Sequence, residues 1–339
     1  MKSSTKVVTC ASFGGTGSSV ITDLLKEFNN IKSMGDYEFA LAHDVDGISD
    51  LQHYIIDDFH RHKVDEGIYR FLNLVDNLVE FGYENYFDNK FKIISQNYIN
   101  DLTDVSWDGQ WKQHRFRFSK LSRKLKYSYP AKVQYIFNRY LKKSNSYEFV
   151  PKLPTMEMRV SYGKEKFLKK TKEYTSKLID ILDNENIYDY IALDQLVPPT
   201  NINRYINYFD NIKVIVVDRD PRDLYLLNKL FWKEGWIPSH DCNLFCEWFE
   251  LIRKPINEEF ENNDKIMRVK FEDFIFNYEE TVAKIISFLD IKHENHINKK
   301  QFFNPDISIK NCRLWEKYDD FESEISIIEK KLDKYCYGI

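Results

Sequence analysis

The chain has 339 residues, 43% of them hydrophobic and 30% charged, with a formal net charge of −4. This balance belongs to a globular chain rather than a disordered one, and it does not mark the whole molecule as a nucleic-acid binder. No apolar run approaches the length that spans a bilayer, and the first residues lack the apolar core of a signal peptide, so a soluble cytoplasmic protein is expected.

The first recognisable unit runs from Lys6 to Phe28. Val7, Val8, Cys10 and Ala11 predict a buried strand, and Val20, Ile21, Leu24, Leu25 and Phe28 predict an amphipathic helix. Between them lies Ser12-Phe-Gly-Gly-Thr-Gly-Ser-Ser19. Gly14, Gly15 and Gly17 allow a tight turn, while Thr16, Ser18 and Ser19 supply hydroxyls where the helix begins. A helix N-terminus presents unpaired N–H groups and partial positive charge, so this turn is a candidate anion site. A tight turn with no ligand is the simpler alternative. The loop matches neither standard pattern. Ser18 stands where the nucleotide-triphosphate loop needs lysine, and Val20 where the dinucleotide loop needs its third glycine.

Downstream, 29–35 read as a loop and Tyr37–Ala42 as a second strand, closed by His43-Asp-Val-Asp-Gly47. Helical periodicity follows from Asp50. Residues 107–143 are basic, with one acid, Asp108, against eleven lysines and arginines, and aromatics interleaved. This stretch is either a solvated helical face or a docking surface for an anionic acceptor. Strands are predicted again at Tyr188–Leu193, Lys213–Val217 and Ile266–Lys270. The Lys213–Val217 run is continuously β-branched after its lysine, as in a parallel sheet covered on both faces. It ends in Asp218-Arg-Asp-Pro-Arg-Asp223, charge placed at the carboxyl end of a strand, where open α/β sheets bind ligands. The tail carries a loop from Phe303 to Trp315 and a last helix over Phe321–Tyr335. The five cysteines are odd in number and scattered, which argues against a disulfide framework. Cys242 and Cys246 read as small buried hydrophobes, and no metal is expected.

Four segments in this order resemble the sulfotransferases that use 3′-phosphoadenosine-5′-phosphosulfate (PAPS), in their bacterial carbohydrate-type form. They are the Ser12–Ser19 loop, the Val214–Tyr225 strand and turn, Val269–Phe274 with the following helix to Ile291, and Ser308-Ile-Lys-Asn311 with Trp315. The resemblance implies an α/β, P-loop-like three-layer domain with a central, mostly parallel sheet. The whole of 1–339 is then one domain, with a helical, basic insertion at 85–175 as acceptor region and 301–339 closing over the nucleotide.

By the same resemblance, Gly14, Gly15, Thr16, Gly17, Ser18 and Ser19 hold the 5′-phosphosulfate. Arg219, Asn228, Ser308, Lys310 and Asn311 hold the 3′-phosphate end, and Glu38 is the general base. His43 is the second candidate, since imidazole titrates near neutral pH. The partners implied are PAPS and its product, with a carbohydrate or other hydroxyl acceptor. Two positions depart from the family pattern. Gly15 stands where the loop carries Lys or Arg, and Leu227 replaces a serine, leaving Asn228 as substitute. Arg219 and Arg222 also suit a plain salt-bridge network with Asp218, Asp220 and Asp223, and Glu38 a strand-edge carboxylate in water. A kinase-like or dinucleotide enzyme and a polyanion-binding module remain as alternatives.

Overall fold

The computed structural model describes residues 6–141, 154–258 and 264–338. Its frame is a five-stranded sheet built from β1 (Lys6–Ser12), β2 (Ile31–Glu38), β5 (Tyr190–Asp194), β6 (Ile212–Asp218) and β7 (Ile266–Lys270). A separate antiparallel ribbon pairs β3 (Val105–Gly109) with β4 (Met156–Val160). The large sheet has the order β2-β5-β1-β6-β7, and every pairing in it is parallel.

Both faces of this sheet are covered. Val7 and Ala11 of β1 join Val214 and Val216 of β6 in one core, packed with Phe71, Tyr98 and Tyr174 from helices Arg61–Glu80, Phe91–Leu102 and Phe167–Leu182. Val8 and Cys10 point the other way with Ile215 and Val217. There they meet Ile21 and Leu24 of α1 (Ser18–Lys26) and Ile285 of helix Tyr278–Leu289. Successive residues of a strand face opposite sides, so a run apolar at every position fits only a sheet sandwiched between helices. A third cluster joins helix Pro221–Leu227 to Cys242–Glu258 and Glu322–Leu332. The three-layer α/β architecture is therefore as expected.

Three local expectations are corrected. The second strand lies at Ile31–Glu38, overlapping the predicted loop, and Ala40–Ala42 form a 3₁₀ turn. Ile31, Lys32 and Ser33 take their partners from β5, and the register shifts between Ser33 and Glu38, so pairing imposes a strand on a sequence with no alternation. The 85–175 stretch is not wholly helical, because it contains both strands of the β3–β4 ribbon. The stretch read as the Phe303–Trp315 loop contains a short helix, Pro305–Ser308. The basic stretch is anchored by one buried acid. Asp65 accepts from Arg117 at 2.9 Å, from Trp111 Nε1 at 3.2 Å and from the Arg159 N–H at 3.0 Å. Lys142 and Lys143 of that stretch lie outside the described residues.

Candidate active site

The carboxyl ends of β5, β1 and β6 lie side by side at the point where the chain reverses its direction across the sheet, the usual ligand position in such sheets. Three turns meet there.

The first is the glycine loop between β1 and α1. Gly14, Gly15 and Gly17 have φ of +79°, +66° and +109°, a region L side chains seldom adopt. Aromatic packing excludes side chains as well. A Cβ on Gly14 would lie 2.2 Å from the Trp236 ring, and one on Gly17 2.8 Å from that of Phe271. One on Gly15 would meet Trp232 at 3.0 Å, then Leu224 and Ile237. One ring and two aliphatic side chains thus pack against the loop at Gly15, and the glycines are required by the fold itself. What the loop offers an anion is its backbone. Gly17 caps α1 in a left-handed conformation without a side-chain bond, and the N–H groups of Ser18 and Ser19 have no intrahelical acceptor.

The loop hydroxyls divide in two. Thr16 is fully buried; its Oγ1 donates to the Val217 carbonyl at 2.8 Å and accepts from the Phe13 N–H at 3.2 Å, tying the loop to β6. It stitches the fold and does not face a nucleotide as expected. Ser12 Oγ is likewise engaged, accepting from Gln195 Nε2 at 2.6 Å. Ser19 is exposed, and Ser18 is half-buried and bonds Asp194.

The second turn follows β6. Pro221 opens the helix and the Asp220 carboxylate caps it, accepting from the Arg222 N–H at 2.8 Å. The two arginines then part. Arg222 is held by Asp220 at 2.6 Å and Glu329 at 2.7 Å and stacks 3.6 Å from the Trp315 ring, so the salt-bridge alternative describes it. Arg219 is 2% exposed. Its Nη2 donates to the Asn311 carbonyl at 2.6 Å, its Cζ lies 4.0 Å from the Phe271 ring, and its Nε has no partner among the described residues. Burial pulls this guanidinium below the usual arginine range, against Asp223 and Glu272. Burial in turn pushes both those carboxyls up to about 7. Neither is an ion-pair partner in the usual sense. Asp223 accepts the Arg313 and Leu314 N–H groups at 3.0 and 2.8 Å, and Glu272 accepts that of Asp220 at 3.0 Å. A buried cation with an orphan donor, beside two carboxyls easily kept neutral, suits a phosphate.

Phe271 packs against both turns, closing on Gly17 and lying over Arg219. The tail segment joins them through Asn311, which contributes its carbonyl rather than its side chain. Ser308 is half-buried nearby in sequence and Lys310 is exposed. Asn228 does not face this site as a phosphate ligand. It is 1% exposed, and its amide donates to Ile237 O at 3.1 Å and Ser239 Oγ at 2.8 Å while its oxygen accepts the Glu234 N–H at 2.8 Å. It folds the 233–239 loop that carries Trp236.

The third turn follows β5. Gln195 is left-handed at φ +53° and clasps Ser12 with both ends of its amide. His43 Nε2 lies 2.7 Å from the Gln195 carbonyl, and exposed Glu38 is the register partner of Asp194. Asp194 is 2% exposed, and its Oδ1 has no hydrogen-bond partner among the described residues. Burial, reinforced by Glu38, pushes its carboxyl up to about 7. Sequence reasoning missed Asp194 by ending the strand at Leu193; a carboxylate closing a buried strand was the available signal.

No protein-family model matches this chain, and no curated protein matches its sequence. Among solved structures it is similar to the sulfotransferase domain of the Synechococcus PCC 7002 olefin synthase, at 10% identity over 91% of this chain and 85% of that one, with a TM-score of 0.39. It is also similar to sulfotransferase STF9 from Mycobacterium avium, at 11% identity, coverages of 98% and 77%, and a TM-score of 0.38. A third is a retinol dehydratase solved with androsterone and the inactive cofactor PAP, at 13% identity, coverages of 98% and 80%, and a TM-score of 0.34. At such identity and overlap, the chain's own residues must carry the functional assignment.

Proposed function

We propose that this protein transfers the sulfuryl group of PAPS to a hydroxyl of a carbohydrate or glycan-precursor acceptor. The supporting observation is the pair of donor sites at the ends of adjacent strands: the N–H groups opening α1 after β1, which have no intrahelical acceptor and no side-chain cap, and the orphan Nε of buried Arg219 after β6. A ligand with two anionic clusters fits that pair, and a ligand with one does not need the second.

The N–H groups of Ser18 and Ser19 and the Ser19 hydroxyl would hold the 5′ end, and Arg219 the 3′-phosphate, with 308–311 closing behind it. PAPS supplies an activated sulfuryl group whose transfer is in line, so the protein's part is position and electrostatics. With Trp232, Leu224 and Ile237 against Gly15, charge on the leaving oxygen is met by the α1 N-terminus. Glu38, exposed beside buried Asp194, would take the acceptor's proton. Calorimetric titration of the purified protein with adenosine 3′,5′-bisphosphate should give binding in the micromolar range. Preference for ATP or NAD, or no binding at high micromolar bisphosphate, would overturn the assignment.

A further inference from the structure

From 120 to 141 the chain runs as one composite helix. Lys120–Arg123 and Tyr129–Ile136 are α-helical, and Lys124–Ser128 and Phe137–Leu141 are π-helical. A π-turn takes more residues than an α-turn, so the rotation per residue slows. The consequence is a stripe. Leu121, Leu125, Tyr129, Val133, Ile136 and Tyr140 recur at spacings of four and three, and each is more than half exposed. On an α-helix alone, a strict run of fours would drift off one face.

The opposite side is what the helix uses to attach. Tyr127 is buried, with Arg115 5.2 Å above its ring and Phe118 5.9 Å away. The outward stripe has no such cover among the described residues. Lys124, Lys126 and Lys132 are neighbours in sequence of stripe residues, so they flank it on both sides. Between Lys112 and Arg139 there are nine lysines and arginines and no carboxylate, in a chain whose net charge is −4.

We propose that this arm lies on an anionic lipid surface, its aliphatic and tyrosine stripe entering the headgroup boundary and its flanking cations meeting lipid phosphates. Two features together select that partner. A soluble polyanion needs the charge but gives leucine, valine and isoleucine nothing to enter. A second copy of this chain covers apolar surface but would bring a second block of cations against the first. Lysines with long apolar stems beside an aliphatic stripe suit a boundary that is charged outside and apolar within. This inference does not depend on the PAPS assignment.

The test is co-sedimentation of the full chain with vesicles of phosphatidylcholine alone or mixed with phosphatidylglycerol. The chain should pellet with the mixed vesicles only, and raising salt should release it. Partition should fall at least tenfold both in Leu125→Glu/Val133→Glu/Ile136→Glu and in Lys124→Gln/Lys126→Gln/Lys132→Gln. Both triple variants alter exposed residues, and thermal unfolding checks their fold. Three results would overturn the proposal: indifference of the native chain to vesicle charge; unchanged vesicle binding by the stripe variant; or a stripe-dependent dimer in light scattering without vesicle binding. If the stripe variant fails to fold, the single variants Leu125→Ser and Val133→Ser are read in its place. A fall in partition supports lipid entry, and unchanged partition in both overturns it.

Discussion

The two ends of the candidate nucleotide site are built differently. The β1–α1 end is made of backbone: left-handed glycines, a helix start and N–H groups. The β6 end is made of one side chain, Arg219, held by a carbonyl from 311 and a ring from 271. Backbone donors survive the loss of any one side chain; a buried guanidinium does not. The ends are also unlike in what they require of distant residues, since the first is local in sequence and the second draws on three segments. A two-ended site of this kind should therefore respond to mutation unequally.

The largest expected effect follows directly. Arg219→Ala should weaken bisphosphate binding by about a hundredfold or more, of the order measured for losing one partner of a buried charge pair. Ser19→Ala at the other end should cost about tenfold or less, the worth of one hydrogen bond beside intact N–H groups. Calorimetry on both variants checks the contrast. Equal losses would mean that the loop hydroxyl, not the backbone, carries the first end.

Legibility from sequence divided along the same line. β1, the glycine turn and α1 could be read residue by residue because their pattern is contiguous and their burial two-sided. The Asp218–Asp223 cluster announced a site, but nothing local distinguished Arg219 from Arg222. That distinction is made by Glu329, Trp315 and Asn311, ninety or more residues away. Thr16 and Asn228 carry suitable donors and acceptors for a ligand, and only tertiary contacts show both committed to the fold. The edge strand β2 was misplaced for a related reason, since β5 supplies its pairing and its own residues do not alternate.

The shared ring gives a second, intermediate test. Gly17→Ala adds a Cβ 2.8 Å from Phe271 at a residue with φ +109°. Folding stability should fall by about 1–3 kcal/mol, the range for a strained backbone position. Because Gly17 sets the N–H groups that open α1 and Phe271 also stacks on Arg219, bisphosphate affinity should fall too. Urea unfolding and calorimetry on one variant measure both. Loss of stability with unchanged affinity would show the two ends to be independent.

The smallest effect tests the third turn. The folded-state carboxyl of Asp194 titrates near 7, well above an unfolded aspartate. Between those values the native state holds more protons than the unfolded one, so this group's contribution is full at acid pH and is lost as pH rises through about 7. Asp223 and Glu272 act with the same sign. The native protein should therefore gain stability on acidification from pH 8 towards pH 6. Asp194→Asn removes one share of that slope and should raise stability at pH 8 by about 1 kcal/mol, the relief of the buried charge less the cost of an amide NH2 left without an acceptor. Its Oδ1 has no partner to lose, while Ser18 keeps an acceptor in the amide oxygen. Urea unfolding at pH 6 and pH 8 reads both quantities. A slope unchanged by the substitution would place the titration with Asp223 and Glu272 beside Arg219.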